Sequence, residues 1–350
     1  MSEIIVIVVA FVVAFLMAFI STPLAEKIAY KVGAIDVPKD ARRMHKKPIP
    51  RLGGIAIFFG FLVSCLCFVV MSREMIAIIA ASLLIVILGV LDDIKPIRAI
   101  IKLAVQIVAA FIVAYFGKVN IEIFTNPNLF SANDYLILGN LSIPITIVWI
   151  VAITNAVNLI DGLDGLAAGV ASISSICLLI IALMVSEVNI AVFTACIAGA
   201  CFGFLPYNFN PAKIFMGDSG STFLGFVLAC ISIEGVFKAY AVVSFAVPLL
   251  IMALPLFDTT VAILRRIKNK KPIMSPDRGH LHHKLIDMGF SQKQAVGILY
   301  SISAFLGVTA IILVGFGIMR ALALLSIAII FIVASLYYSN KKENNDSEDK

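Results

Sequence analysis

Apolar runs close to the length needed to cross a hydrocarbon layer recur throughout this 350-residue chain, and nothing else in the sequence restricts the fold as much. Inside lipid the backbone must satisfy its own polar groups, which leaves helices or closed barrels, and runs of about 20 apolar residues select helices. Windows of about 19 residues place spans near residues 4–22, 53–71, 75–91, 99–116, 143–158, 166–185, 189–205, 221–236, 239–257, 296–314 and 318–338. With 61% hydrophobic and 14% charged residues and a mean hydropathy of +1.06, a soluble domain has no room to form. The expectation is an all-α integral membrane protein, a polytopic bundle of about eleven transmembrane helices. Residues 1–339 would form one membrane domain and 340–350 a disordered cytoplasmic tail. The first run lacks a basic leader and a small-residue cleavage site, so it reads as a span rather than a signal peptide.

Orientation follows from the basic residues. If the loops after odd-numbered spans and the tail share one side, that side holds all of the 27 Lys and Arg except Arg73, Lys118, Lys238 and Arg320. The positive-inside rule makes it cytoplasmic, with the N-terminus outside and the C-terminus inside. The segment from Lys118 to Ser142 then lies outside, and its turn signals around Asn126-Pro127-Asn128 and Leu138-Gly139-Asn140 predict a small hairpin. All six cysteines fall within apolar runs, where they act as small hydrophobes.

The uncommon polar residues collect at that same cytoplasmic face. Asp92 and Asp93 end the third span; Asn158, Asp161 and Asp164 follow the fifth, sharing a helical face with Asn155 in its last turn; Asn208 and Asp218 follow the seventh; Asp258 ends the ninth, and His280, His282 and His283 lie beyond it. A transporter would place ionisable groups near the bilayer midplane on broken helices. A one-sided cluster instead fits a reaction between a water-soluble anion and a lipid headgroup. Adjacent carboxylates stay ionised only beside a cation, although Asp92-Asp93 also fits a solvated helix end. The oxygen donors of residues 155–164 suit Mg²⁺, and equally suit a capped turn. In the loop from Asn208 to Ser221, two glycines permit close backbone approach beside a helix N-terminus that favours anions, and Phe215 is placed to stack on a base or to anchor the interface. Arg278 and the histidines supply donors for a diphosphate, and a polybasic surface on anionic lipid explains the lysines and arginines of that loop but not three histidines in four positions.

Taken together, Pro50-Arg51-Leu52-Gly53-Gly54, Asp92-Asp93, Asn158-Leu159-Ile160-Asp161-Gly162-Leu163-Asp164-Gly165, Phe215-Met216-Gly217-Asp218-Ser219-Gly220-Ser221 and the histidine loop resemble the polyprenyl-phosphate N-acetylhexosamine-1-phosphate transferases. Arg51-Leu52 and the pattern Asp277-Arg278-Gly279-His280-Leu281-His282-His283 look like the branch that uses UDP-N-acetylglucosamine. The branch that starts peptidoglycan lipid synthesis, with a UDP-N-acetylmuramoyl-pentapeptide donor, usually has Thr-Met before the glycines and three consecutive histidines.

The resemblance implies transfer of N-acetylglucosamine 1-phosphate from UDP-N-acetylglucosamine to undecaprenyl phosphate at the cytoplasmic face of the cell membrane. It implies Mg²⁺ as cofactor, with Mn²⁺ as a substitute. Partners would be the lipid bilayer and a second copy in a homodimer, with no nucleic acid. It also implies that Asn158 and Asp218 hold the metal, with Asp161 beside it, while Asp92 and Asp93 meet the lipid phosphate and Lys102 supplies charge. Asn208 and Phe215 would lie at the uridine. Arg278, His280, His282 and His283, with Arg265 or Arg266, would contact diphosphate or sugar. Lys47 and Arg51 join the substrate contacts, and Asp164 does so too or serves mainly the turn. Direct attack oriented by Asp92 or Asp93 and a two-step route through Asp161 both remain open.

Overall fold

A computed structural model describes residues 2–38, 47–125, 135–237, 245–272 and 279–327. It is an all-α polytopic membrane protein. The helices are α1 (Glu3–Val32), α2 (Gly53–Phe68), α3 (Arg73–Ile94), α4 (Ala99–Phe111, continued by a π turn Ile112–Phe116), α5 (Ser142–Ile160), α6 (Leu166–Met184) and α7 (Val188–Asn208). There follow α8 (Gly217–Ser232, continued by a π turn Ile233–Phe237), α9 (Ala246–Ile251), α10 (Ala253–Lys268), α11 (Leu281–Asp287), α12 (Gln292–Phe316) and α13 (Ile318–Ile327). Among the described residues seven helices are long and apolar enough to cross a membrane, and each expected span contains helix.

These helices turn their small residues inward and their large ones outward. On α1, Ala10, Ala14, Ala18, Ala25 and Ala29 are buried, whereas Ile4, Val8, Leu16, Ile20 and Leu24 are exposed. A Cβ on Gly203 of α7 would lie 2.2 Å from the Phe15 carbonyl, and one on Gly60 of α2 2.7 Å from that of Ala14. Small residues let backbones approach this closely where burial of apolar surface offers no driving force, since lipid tails are as apolar as the helix faces. The almost wholly buried α7 and α8 form the centre.

The ninth expected span differs in shape. Its described part breaks at Met252, between α9 and α10, with Pro255 in the first turn of α10. Proline fits a first turn, where its missing N–H has no partner to lose, but not a helix interior. Beyond the break α10 runs on to Lys268, burying Leu254, Pro255, Asp258, Ala262 and Arg266 along one stripe. The expected hairpin forms from β3 (Ile123–Thr125) and β4 (Tyr135–Ile137), antiparallel; the expected turn at Asn126-Pro127-Asn128 and the tail lie outside the described residues. A shorter pair that hydropathy gives no sign of, β1 (Ile35–Asp36) and β2 (Ile49–Pro50), closes the base of the first loop.

Candidate active site

Asp93 sits in the last turn of α3, where the helix dipole disfavours a carboxylate. It is aimed instead at the first turn of α8, accepting hydrogen bonds from the backbone N–H of Asp218 at 2.9 Å and of Ser219 at 3.1 Å. No side chain of α8's own N-cap residue does this, so Asp93, only 2% exposed, caps α8 from another helix. A Cβ on Gly217, whose φ is +73°, would lie 2.4 Å from the Asp93 carboxylate, so the approach requires glycine. Arg51 donates from Nε and Nη2 to the Asp93 carbonyl at 3.1 and 3.0 Å. The segment bearing Arg51 is itself zipped to the loop before α8: Phe215 N–H bonds Pro50 O, Gly53 N–H bonds Phe215 O and Gly54 N–H bonds Met216 O. Two motifs far apart in sequence are thus one structural unit.

Beside them Lys102, in the second turn of α4, donates to Asp92 at 3.0 Å and to Asp218 at 2.8 Å, while the other Asp92 oxygen accepts from Ile97 N–H at 2.6 Å. One ammonium therefore holds two carboxylates that would otherwise repel. Asn158 accepts from the Ser221 hydroxyl at 2.7 Å, joining α5 to α8. Asn155, one turn back, bonds Gln106 instead and does not reach the site.

The chain leaves α5 at Asp161 and turns through Gly165 at φ +79°. Asn208 fastens this turn, its oxygen accepting from Gly165 N–H at 3.1 Å and its amino group donating to Ile214 O at 3.0 Å. Asp164 accepts from Asn210 Nδ2 at 2.9 Å and from Ala212 N–H at 3.0 Å. The Asp161 carboxyl has neither a hydrogen-bond donor nor an ion pair among the described residues. Burial, then the charges of Asp218, Asp93 and Asp164, push it up to about 7.

The histidines have separate duties. His280 Nδ1 lies 2.8 Å from Asp258 Oδ2, and the other Asp258 oxygen accepts from Leu281 N–H at 2.8 Å, so α10 holds the start of α11. Arg265 reinforces this by donating to Gly279 O at 2.9 Å. His282 is buried against Gly162, where a Cβ would meet its ring at 2.2 Å, and burial followed by the neighbouring His283 charge lowers it to about 4. It is therefore a neutral packing group at ordinary pH. His283 reaches the cavity. Asp258→Asn keeps an acceptor for Leu281 N–H but removes the charge from both bonds and sets an N–H donor against His280 Nδ1, which donates to the wild-type carboxylate. Loss of a bond to a charged group costs roughly 1.5–3 kcal/mol, so the variant should unfold earlier in a detergent melt; a wild-type melt would remove this clamp.

The cavity these groups surround measures about 330 Å³. Asp93, Asn158, Asp161, Asp164 and Asp218 line it with Arg51, Asn208, Phe215 and His283. Lys102 stands one bond behind Asp218 and Asp92 one bond behind Lys102, while His280, His282, Arg265 and Arg266 do not line the cavity. Lys47 is exposed and does not line the cavity, and Arg278 lies outside the described residues. Two lining residues escape sequence reading: Asp36, brought in by the β1–β2 pair, and Gln292, which in sequence belongs to an ordinary capping box of Ser291 and Gln294. The oxygen donors fit Mg²⁺, which takes one or two carboxylates and completes its shell with water and phosphate. Among the described residues no three His, Cys, Asp or Glu side chains are grouped to hold an ion by themselves.

Residues 75–236 match the Glycosyl transferase family 4 model. A Bacillus subtilis protein named as a probable undecaprenyl-phosphate N-acetylglucosaminyl 1-phosphate transferase is 41% identical over 331 residues, which is 94% of this chain and 91% of the relative. The chain belongs to this family. Also similar is the decaprenyl-phosphate N-acetylglucosaminephosphotransferase of Mycobacterium tuberculosis, 33% identical over 78% of this chain and 74% of that one. The undecaprenyl-phosphate alpha-N-acetylglucosaminyl 1-phosphate transferase of Escherichia coli is 27% identical over 81% and 77%. The matched region of this family 4 transferase runs from α3 to the end of α8, and so contains every acidic lining residue except Asp36.

Proposed function

We propose that this family 4 transferase moves N-acetylglucosamine 1-phosphate from UDP-N-acetylglucosamine to undecaprenyl phosphate. The products are undecaprenyl-diphosphate-N-acetylglucosamine and UMP, and the step opens teichoic-acid or other surface-polysaccharide synthesis at the cytoplasmic face of the cell membrane. The observation that carries the reading is the gathering of five aspartates, Asn158, Phe215 and His283 around one cavity at the ends of apolar helices.

An oxygen of the lipid phosphate attacks the β-phosphorus, the bond from that phosphorus to the bridging oxygen breaks, and UMP leaves with the bridging oxygen. Asn158 and Asp218 would hold Mg²⁺, which would supply neutralisation of the diphosphate. Arg51 and His283 add donors for phosphate oxygens from the cavity wall, and Phe215 offers a face to the uracil ring. Lys102, between Asp92 and Asp218, brings positive charge to where the lipid phosphate enters. Asp161, with no partner of its own among the described residues, is the carboxylate available either to orient the acceptor or to act as a nucleophile; both roles require its anion.

Purified protein with undecaprenyl phosphate, UDP-N-acetylglucosamine and Mg²⁺ should release UMP and form a lipid-linked sugar, and a chelator should stop it. Folded protein that releases none overturns the reading. Competition with UDP-N-acetylmuramoyl-pentapeptide decides the donor.

A further inference from the structure

Gln292 opens α12 and lines the cavity, yet nothing in its sequence context marks it as functional. Its amide orientation follows from its neighbours. A carboxylate only accepts hydrogen bonds, so the group of Asn210 that faces Asp164, at 2.9 Å, must be its amino group. The same Asn210 Nδ2 donates its second hydrogen to Gln292 Oε1 at 2.8 Å. Asp164 is held in turn by Ala212 N–H at 3.0 Å. Polarity thus passes from carboxylate to Asn210 to Gln292, whose carbonyl is spent and whose amino group remains. That Nε2 is buried and has no acceptor among the described residues. A buried N–H without an acceptor is costly to leave unmade, and a pocket that lacks one acceptor discriminates strongly for a ligand that brings it.

We propose that Gln292 is a specificity-determining residue whose Nε2–H donates to a carbonyl oxygen of the nucleotide-sugar donor. This rests on the reading that UDP-N-acetylglucosamine enters this cavity. A neutral amide donor matches a neutral acceptor, while phosphate oxygens are better met by Arg51 and the metal. UDP-N-acetylglucosamine carries such carbonyls at both ends, on the uracil ring and on the acetamido group.

Two variants separate the possibilities. Gln292→Met removes both ends of the amide at similar length. Gln292→Glu keeps an acceptor towards Asn210 and replaces the donor with a second acceptor. Binding of UDP-N-acetylglucosamine, UDP-glucose and UMP to full-length protein in detergent is measured by calorimetry, alongside a thermal melt. Gln292→Met should bind UDP-N-acetylglucosamine about ten-fold more weakly than wild type, and Gln292→Glu more weakly still. An equal loss for UMP assigns the carbonyl to the base. Unchanged UMP binding, with a reduced preference for UDP-N-acetylglucosamine over UDP-glucose, assigns it to the acetamido group. Wild-type affinities in either folded variant overturn the proposal, and Gln292→Glu, which preserves the Asn210 bond, serves where Gln292→Met does not fold. Wild-type protein that neither binds UDP-N-acetylglucosamine nor releases UMP identifies the functional reading itself as the failure.

Discussion

Asp161→Asn should lower UMP release by at least about a hundred-fold, the scale on which loss of one preorganised electrostatic group in a reaction site is felt, while the protein still folds. The substitution keeps size and removes only charge. Asp93 caps α8 and Asp92 is shared between Ile97 and Lys102, whereas Asp161 has no such structural employment among the described residues. With its carboxyl pushed up to about 7, kcat/KM at low Mg²⁺ should rise as pH increases through 7 and level off above it; the asparagine variant should lack that limb.

Stability moves the other way. A carboxyl whose folded pKa lies above its unfolded value binds an extra proton in the fold, so metal-free stability falls as pH rises from the ordinary carboxylate range to 7. Mg²⁺ should therefore raise the wild-type melting temperature more at pH 8 than at pH 5, and this difference should shrink in Asp161→Asn. An asparagine variant with full turnover and an unchanged pH profile would reduce the residue to the end of a turn.

Gly89→Ala should damage both the fold and the site. A Cβ there would lie 2.3 Å from Ser219 Cα and 2.5 Å from Ser219 N, the atom that donates to Asp93. Both obstacles are backbone in a buried first turn, so α8 must move away from α3. Overpacking of this kind costs about 1–3 kcal/mol or more, and a shift near 1 Å at Asp218 alone can cost about a hundred-fold in rate. The melt should drop and residual activity should be low. Gly297→Ala, with nothing within 4 Å of the new methyl, serves as the helix-glycine control and should match wild type. Equal behaviour of the two would refute the close α3–α8 contact.

Much of the site was legible because acids, amides and glycines are rare among apolar runs and stand at helix ends. Their division of labour was not. Asp218 reads as part of a loop, yet α8 begins at Gly217 and takes Asp218 into its first turn, where the helix dipole welcomes an acid. The three histidines read as one anion-binding group; only His283 faces the cavity, because Asp258 claims His280 and Gly162 makes room for His282. Asn208 reads as a uridine contact and lines the cavity, but its amide also ties the turn after α5 to the loop before α8.

By itself the sequence determined the membrane-embedded helical class, the approximate spans and the family. Each depends on local chemistry: hydropathy summed over about 20 residues, or short motifs read in order. Only the tertiary structure decided which carboxylate lacks a partner among the described residues, which histidine faces the cavity and that Gln292 belongs to its wall. Those outcomes depend on partners such as Asp93 and Asp218, 125 residues apart, or Asn210 and Gln292, 82 apart. A polar side chain's role is set by the hydrogen bonds left over once such partners are satisfied, and a linear pattern does not record which partners those are.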